Sequence, residues 1–117
     1  MKTHKDLILW QKSIEFVTDI YRVTRNYPKE ELYGLTNQLR RAAVSVPSNI
    51  AEGAARSTKK EFNQFLHISL GSLSEIETQL IISENLGYLS KGDSALNIEK
   101  LTEIRRMLLG LIASLER

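Results

Sequence analysis

Five basic side chains in one stretch of this chain have the chemistry needed to bind phosphate groups. They are Arg40, Arg41, Arg56, Lys59 and Lys60. Glu52 is the one acidic residue between Arg40 and Lys60, which gives this stretch a charge of +4 in a chain whose net charge is +2. Guanidinium and ammonium groups bind phosphate oxygens without reading base identity. We therefore predict a nucleic-acid-binding surface at these five residues, with weak sequence specificity.

The distribution of charge along the chain supports the same prediction. Residues 1–60 carry 11 basic and 6 acidic side chains, whereas residues 61–117 carry 5 and 8. The first half is therefore expected to hold any surface that contacts RNA or DNA. Aromatic residues make up only 7% of the chain. Those that fall on apolar helical stripes include Trp10, Phe16, Phe62 and Phe65. No platform for base stacking is evident from the sequence.

The sequence lacks the residue patterns that catalytic sites and metal sites require. The chain has no cysteine, which excludes disulfides, thiolate zinc sites and a cysteine nucleophile. A diiron bundle needs two Glu-x-x-His pairs, but His67 has Gln64 three positions before it, and His4 lies near the chain end. We interpret His67 as a partly buried, hydrogen-bonded residue. No serine has a histidine partner in a triad order, and the glycines lack phosphate-binding spacing. The sequence predicts no enzyme activity and no cofactor.

Helices must position these residues, because only helical periods occur along the chain. A length of 117 residues is typical of one domain, which we place at 1–117. The first helix is predicted from apolar residues spaced three and four apart: Leu7, Trp10, Ile14, Val17, Tyr21 and Thr24. A second apolar stripe lies beside it: Phe16, Ile20 and Val23. Pro28 ends this helix and suits the start of a new turn.

The second helix is predicted from an apolar stripe and carries Arg40 and Arg41. The stripe consists of Leu35, Leu39, Ala42, Val46 and Ile50. Pro47 opposes the carbonyl of Ala43 inside this helix and removes a hydrogen bond, so we expect a kink there and an exit at Gly53. On the opposite side lies a polar stripe of Arg41, Ser45, Ser48 and Glu52. This polar stripe is compatible with helix or subunit packing, with nucleic-acid contact, or with solvent exposure.

Two further helices complete the predicted fold. Thr58 and Glu61 have the spacing of a capping box, so a third helix should begin near them and end at Gly87. Its apolar stripe is Phe62, Leu66, Ser69, Leu73, Ile76 and Leu80. Residues 91–94 are predicted to form a polar turn before the fourth helix. The apolar stripe of that helix is Ile98, Leu101, Ile104, Leu108, Leu111 and Leu115. Four helices with short connections predict an all-α, antiparallel up-down-up-down four-helix bundle.

The helices carry more apolar residues than one core stripe each requires. On the third helix, the residues outside the main stripe are Ile68, Leu70, Ile81 and Ile82. A wide core face would account for them, and so would a second face buried between copies of the chain. The second interpretation predicts a homo-oligomer.

Several segments, in this order, resemble one family of proteins. They are LTNQLRRAA at 35–43, SVPSNIAEG at 45–53, KEF with Phe65 and Leu66 at 60–66, and GSL followed by EIE at 71–77. They are similar to the four-helix bundle proteins encoded within intervening sequences of 23S ribosomal RNA genes, and the match covers nearly the whole chain, including Trp10, Gly87 and Tyr88. That family is bacterial, and its known structures are ring-like homopentamers. The accessory variability determinant of diversity-generating retroelements, a basic pentameric bundle that binds nucleic acid and a reverse transcriptase, is also similar.

The resemblance implies a self-assembling bundle, a homopentamer, that acts as a non-catalytic nucleic-acid or ribonucleoprotein accessory. Its partners would be RNA or DNA and a nucleic-acid-processing protein. The alternative is a structural or protein–protein interaction module that binds no nucleic acid. Polar residues interrupt the short apolar run near the N-terminus, so we expect no membrane span and a cytoplasmic location.

Overall fold

The structure, a computed structural model, describes residues 3–116, except for the side chains of His4 and Lys5. Within these residues four α-helices follow each other: α1 (His4–Thr24), α2 (Leu35–Ala54), α3 (Lys59–Asn85) and α4 (Lys91–Leu115). A short 3-10 turn, Lys29–Glu31, connects α1 to α2. No strand occurs within residues 3–116, so the prediction of an all-α fold is confirmed.

The four helices form a bundle in which each helix packs against two others. The contacting pairs are α1–α2, α2–α3, α3–α4 and α1–α4, and the bundle measures 44 × 25 × 18 Å. Hydrogen bonds between α2 and α3 join Val46 to Ser69, Ser45 to Ser72 and Gln38 to Gln79. Residue numbers fall along α2 as they rise along α3, which is how antiparallel helices meet.

Side-chain caps determine where α3 and α4 begin. Thr58 Oγ1 accepts a hydrogen bond from the Glu61 amide at 3.2 Å and caps α3, as the capping-box spacing predicted. Ser90 Oγ accepts a hydrogen bond from the Asp93 amide at 3.1 Å and caps α4. The prediction of a polar turn at residues 91–94 was therefore wrong, because these residues form the first turn of α4.

Gly87 ends α3, as predicted. Its φ is +80°, a left-handed conformation that glycine adopts without steric cost. Its amide donates to the Glu84 carbonyl, and the Tyr88 amide donates to the Ser83 carbonyl, both at 3.0 Å. These two bonds form a Schellman motif, which satisfies carbonyl groups at the helix end and turns the chain towards α4.

The apolar stripes predicted for α2, α3 and α4 face the core. On α3 the whole predicted stripe is buried: Phe62, Leu66, Ser69, Leu73, Ile76 and Leu80. On α2 the buried members are Leu39, Ala42, Val46 and Ile50. On α4 the buried members are Leu101, Ile104 and Leu108, and the half-buried members are Ile98, Leu111 and Leu115. Helix α2 continues through the buried Pro47, and a bend at this residue stays a prediction.

Helix α1 is rotated relative to the prediction. Its buried residues are Asp6, Leu9, Ser13, Phe16, Ile20 and Thr24. Half of the predicted stripe faces outward instead: Leu7 is 38% exposed, Ile14 40% and Tyr21 41%. Ser13 can lie in the core because its Oγ donates to the Leu9 carbonyl at 2.9 Å, which leaves its hydroxyl proton paired. The buried face of α1 includes Ser13 and is therefore less apolar than the predicted stripe beside it. For this reason hydropathy favoured the wrong face.

Gly53 lies where α2 and α3 approach each other closely. A Cβ atom at this position would be 2.8 Å from Phe65 Cβ and 2.9 Å from Phe62 Cδ1. Gly53 does not form the predicted exit, because α2 continues to Ala54. The glycine is needed for packing rather than for a turn.

Replacing Gly53 with alanine is expected to destabilise the bundle by about 1–3 kcal/mol, because the added methyl group must displace α3. Gly71→Ala is the matched control, since a Cβ at Gly71 meets no atom within 4 Å. The free energy of unfolding of the control should rise by up to about 1 kcal/mol, because alanine has a higher helix propensity than glycine. Urea unfolding followed by circular dichroism measures both changes. A Gly53→Ala variant as stable as the wild type would show that α2 and α3 are not too close at this position to accept a side chain.

Candidate nucleic-acid interface

The structure divides the five predicted phosphate-binding residues into two groups. Arg40 and Arg41 lie in the second turn of α2, whereas Arg56, Lys59 and Lys60 lie where α2 ends and α3 begins. At about 1.5 Å per residue, the two groups are separated by about 20 Å along α2. The sequence prediction of one continuous stretch therefore corresponds to two separate surfaces. We refer to Arg56, Lys59 and Lys60 as the basic end.

Two lysines of the basic end have no partner within the described part of the chain. Lys59 and Lys60 are exposed and occupy the first turn of α3. Their positive charge opposes the helix dipole there, which is mildly unfavourable for the isolated helix. Both ammonium groups are therefore available to an external anion.

Arg56 is held beside these lysines by contacts within the chain. Its Nη2 donates to Glu52 Oε1 at 2.7 Å, and its guanidinium lies 4.9 Å from the centre of the Phe65 ring. The ion pair with Glu52 is solvent-exposed on both sides, so it contributes little to stability. A phosphate group could replace Glu52 as the partner of Arg56 at small cost.

Three cations elsewhere in the bundle are paired across helices. Lys12 pairs with Glu103 at 3.1 Å, and Lys100 pairs with Asp19 at 2.9 Å. Both pairs join α1 to α4. A third pair, Arg105–Glu77, joins α4 to α3 at 2.9 Å. These side chains have a structural explanation that Lys59 and Lys60 lack.

Arg40 connects α1 to α2 and is already engaged. Its Nε donates to Thr24 Oγ1 at 2.9 Å, and its guanidinium lies 4.6 Å from the centre of the Tyr21 ring. The Thr24 hydroxyl in turn donates to the Ile20 carbonyl at 2.7 Å. Loss of Arg40 would therefore change the packing of two helices as well as any contact with phosphate.

Arg41 lies on a polar groove between α2 and α3. The groove has a volume of about 360 Å³ and is lined by Asn37, Gln38, Arg41, Ala42, Ser45, Ser72 and Glu75. Arg41 itself is exposed and makes no ion pair or hydrogen bond with the described residues. Gln79 Nε2 donates to Gln38 Oε1 at 3.3 Å beside this groove.

The predicted polar stripe of α2 has two environments. Ser45 is half-buried, and its Oγ accepts hydrogen bonds from Ser72 Oγ and Asn49 Nδ2, both at 2.9 Å. It therefore belongs to the packing between helices. The remaining members of the stripe, Arg41, Ser48 and Glu52, are exposed.

Tyr33 is an exposed aromatic residue that the sequence interpretation missed. Its side chain is 90% exposed, and it lies between the 3-10 turn and α2. Glu31 anchors this turn, because its Oε1 accepts the Leu35 amide at 3.2 Å and its Oε2 accepts the Tyr88 hydroxyl at 3.1 Å. The latter bond raises the pKa of Tyr88. The sequence did contain a signal for the exposure of Tyr33, because this residue lies outside every apolar stripe and directly before a glycine.

His67 is exposed rather than partly buried, which corrects the prediction of its environment. The predicted hydrogen bond is confirmed, since Nδ1 donates to the Asn63 carbonyl at 2.9 Å. The side chain of His4 lies outside the described residues. Among the side chains that the structure describes, no group of histidine and carboxylate residues could hold a metal ion. In the same part of the chain, no helix is long and apolar enough to cross a membrane.

Comparisons with known proteins agree with the helical architecture. The structure is similar to a crystal structure of a protein of unknown function from the S23 ribosomal protein family of Bacteroides thetaiotaomicron, with a TM-score of 0.86 and 24% sequence identity. The similarity covers 93% of this chain and 98% of that one. No curated protein matches the sequence. The family model described as 23S rRNA-intervening sequence protein matches residues 5–110. The chain therefore belongs to the 23S rRNA-intervening sequence protein family.

Proposed function

We propose that this protein is a non-catalytic, self-assembling bundle that acts in the bacterial cytoplasm as a nucleic-acid or ribonucleoprotein accessory. The observation that carries the proposal is the pair of unpartnered, exposed lysines, Lys59 and Lys60, at the basic end. Interhelical ion pairs account for Lys12, Lys100 and Arg105, whereas Lys59 and Lys60 are adjacent, exposed and in no ion pair with the described residues. A bundle that presents charge without a groove-reading motif suits phosphate contacts and weak sequence specificity.

Self-assembly is supported by an apolar stripe on the outside of α1. Leu7, Ile14 and Tyr21 recur every seven residues and are each more than a third exposed, and Trp10 and Val17 beside them are half-buried. This repeat is the spacing with which one helix packs along another. We call Leu7, Ile14 and Tyr21 the outer stripe. A second copy of the chain is its proposed occupant, in a homopentamer as the family implies.

Additional exposed apolar residues lie on α3. Ile68 is 50% exposed and Ile82 is 42% exposed. A subunit that presents different apolar surfaces on α1 and α3 can bind a neighbour head to tail, and such contacts close into rings. In a pentameric ring the basic end is repeated five times, so weak phosphate contacts add through multivalency.

Binding of the purified protein to labelled RNA and DNA over a range of salt concentrations tests the proposal. We expect the logarithm of the affinity to fall linearly with the logarithm of the salt concentration. The slope should be about −0.9 per contacted phosphate on duplex DNA and about −0.7 on single strands. Fluorescence anisotropy measures both. Absence of binding to any nucleic acid at low salt would contradict the proposal.

That outcome would favour the second candidate, a structural or protein–protein interaction module. The exposed apolar residues on α1 and α3 are the observation that favours it, because such surfaces bind protein rather than phosphate. Under either proposal a nucleic-acid-processing protein is a candidate partner. Salt-dependent nucleic-acid binding separates the two.

A further inference from the structure

Tyr33 has no role in the core and is displayed to solvent. At 90% exposure it is the most exposed large apolar side chain among the described residues. The other described tyrosines are all more enclosed: Tyr21 is 41% exposed, Tyr27 is 7% exposed and Tyr88 is half-buried. Burial in this bundle therefore does not explain an aromatic residue at position 33.

The turn that carries Tyr33 is held in place from both sides. The Leu32 amide donates to the Lys29 carbonyl at 3.1 Å, and the Gly34 amide donates to the Glu31 carbonyl at 3.0 Å. The Glu31 carboxylate also bonds to α2 and to Tyr88, as described above. An aromatic ring on an anchored turn loses little conformational entropy when it binds a partner.

Tyr33 lies at the end of α2 from which the polar groove starts. The Gln38 amide donates to the Gly34 carbonyl at 3.0 Å, so the first turn of α2 begins directly after Tyr33. Asn37, the first lining residue of the groove, is the third residue of α2 and lies about 3 Å along the helix axis from Leu35. Arg41 follows one turn later. An exposed aromatic residue just before α2 is therefore followed along the chain by the amide groups and the guanidinium that line the groove on this helix.

These are the groups that bind an unpaired nucleotide. Bases stack on exposed aromatic rings, amides bond to base edges, and cations contact the phosphate backbone. Glu75 is the acidic residue that lines the groove, and its carboxylate can accept a hydrogen bond from an N–H group on a base edge. A duplex would keep its bases stacked on each other and could not use the ring.

We propose that Tyr33 and the polar groove form a binding site for single-stranded nucleic acid, in which the Tyr33 ring stacks on a base and Arg41 contacts a phosphate. This inference rests on the proposed nucleic-acid function and adds a second surface to it. The site lies near the N-terminus of α2, whereas the basic end lies beyond its C-terminus. The basic end can contact the phosphates of single strands and of duplexes, whereas the Tyr33 site favours single strands.

The test compares Tyr33→Ala with Tyr33→Phe in binding to a short oligouridine and to a duplex RNA of the same length. Loss of one stacked base should weaken oligouridine binding by about tenfold, with a salt slope that stays unchanged because no phosphate contact is lost. Tyr33→Phe keeps the stacking face and should bind like the wild type. Neither variant should change duplex binding. Arg41→Gln should reduce the salt slope for oligouridine by about 0.7.

Leu32→Ala is the matched control, since Leu32 is an exposed apolar neighbour at 48% exposure that has no ring. Its oligouridine affinity should equal that of the wild type. If Tyr33→Ala also binds like the wild type, the inference is overturned, while the proposed function stands on the basic end. If Tyr33→Ala changes the oligomer mass in light scattering, Tyr33 belongs to a protein interface and the inference is again overturned. If the wild type binds no nucleic acid at all, the proposed function and the inference fail together.

Discussion

Replacing both Lys59 and Lys60 with glutamate is expected to weaken binding to every nucleic acid tested by about tenfold or more. Each lost phosphate contact should reduce the salt slope on duplex DNA by about 0.9, so the double variant should lose about 1.8 per subunit that contacts the nucleic acid. The reduction should be similar for different sequences, because phosphate contacts carry no base information. Fluorescence anisotropy at several salt concentrations measures both quantities.

The fold should tolerate this double reversal. Both residues are exposed, and carboxylates in the first turn of α3 interact favourably with the helix dipole. Adding Arg56→Glu reverses the whole basic end and should weaken binding further. The triple variant is harder to interpret, because it also replaces the Arg56–Glu52 ion pair with two neighbouring acids.

A control of equal net charge is available on α4. Lys91 and Arg106 are exposed, and Lys91, like Lys59, is the first residue of its helix. Reversing Lys91 and Arg106 to glutamate changes the total charge by the same amount at a different location. If this control loses as much affinity as the Lys59/Lys60 variant, binding depends on overall charge, and the basic end is not the site.

The second large effect is expected at the outer stripe. Ile14→Glu should convert the proposed pentamer, whose mass would be near five times the 13.3 kDa chain mass, into monomers. Ile14 is 40% exposed in the single subunit, so glutamate there should leave the bundle folded. In an assembled ring the same carboxylate would be buried without a partner, at a cost of about 3 kcal/mol or more per interface. Light scattering measures the mass, and circular dichroism verifies the helical content.

Leu96→Glu provides the comparison, because Leu96 lies on α4 outside the outer stripe and is 48% exposed. This variant should keep the mass of the wild type. A wild-type protein that remains a monomer at micromolar concentrations would refute self-assembly. An oligomer that survives Ile14→Glu would show that subunits meet through a different surface.

The sequence was most informative where the pattern was local and regular. The stripe of α3 was predicted in full because its apolar side chains repeat with little interruption, and such a repeat has one orientation that buries it. The start at Thr58 and the stop at Gly87 were equally readable. A capping hydroxyl and a left-handed glycine act on the nearest turn of backbone, so their effect does not depend on the rest of the fold.

The candidate site was predicted only in part. The five basic residues were recognised by residue type, which is a property of the sequence. Their division into a basic end and a distant pair that includes Arg41 follows from the rise of α2, a length that charge counting ignores. Arg40 contacts Thr24 and Tyr21, which lie on a different helix, so its role in joining α1 to α2 could not be read from its own segment.

The sequence by itself determined four helices and where α3 starts and stops, because helix periodicity and capping are properties of neighbouring residues. Tertiary structure decided which face of α1 is buried, why Gly53 carries no side chain, and that Tyr33 is displayed. Each of these three features depends on which residues from a distant part of the chain pack against that position. Ser13 lies in the core and Ile14 on the surface because burial depends on where the other three helices pack, and hydropathy cannot specify that position.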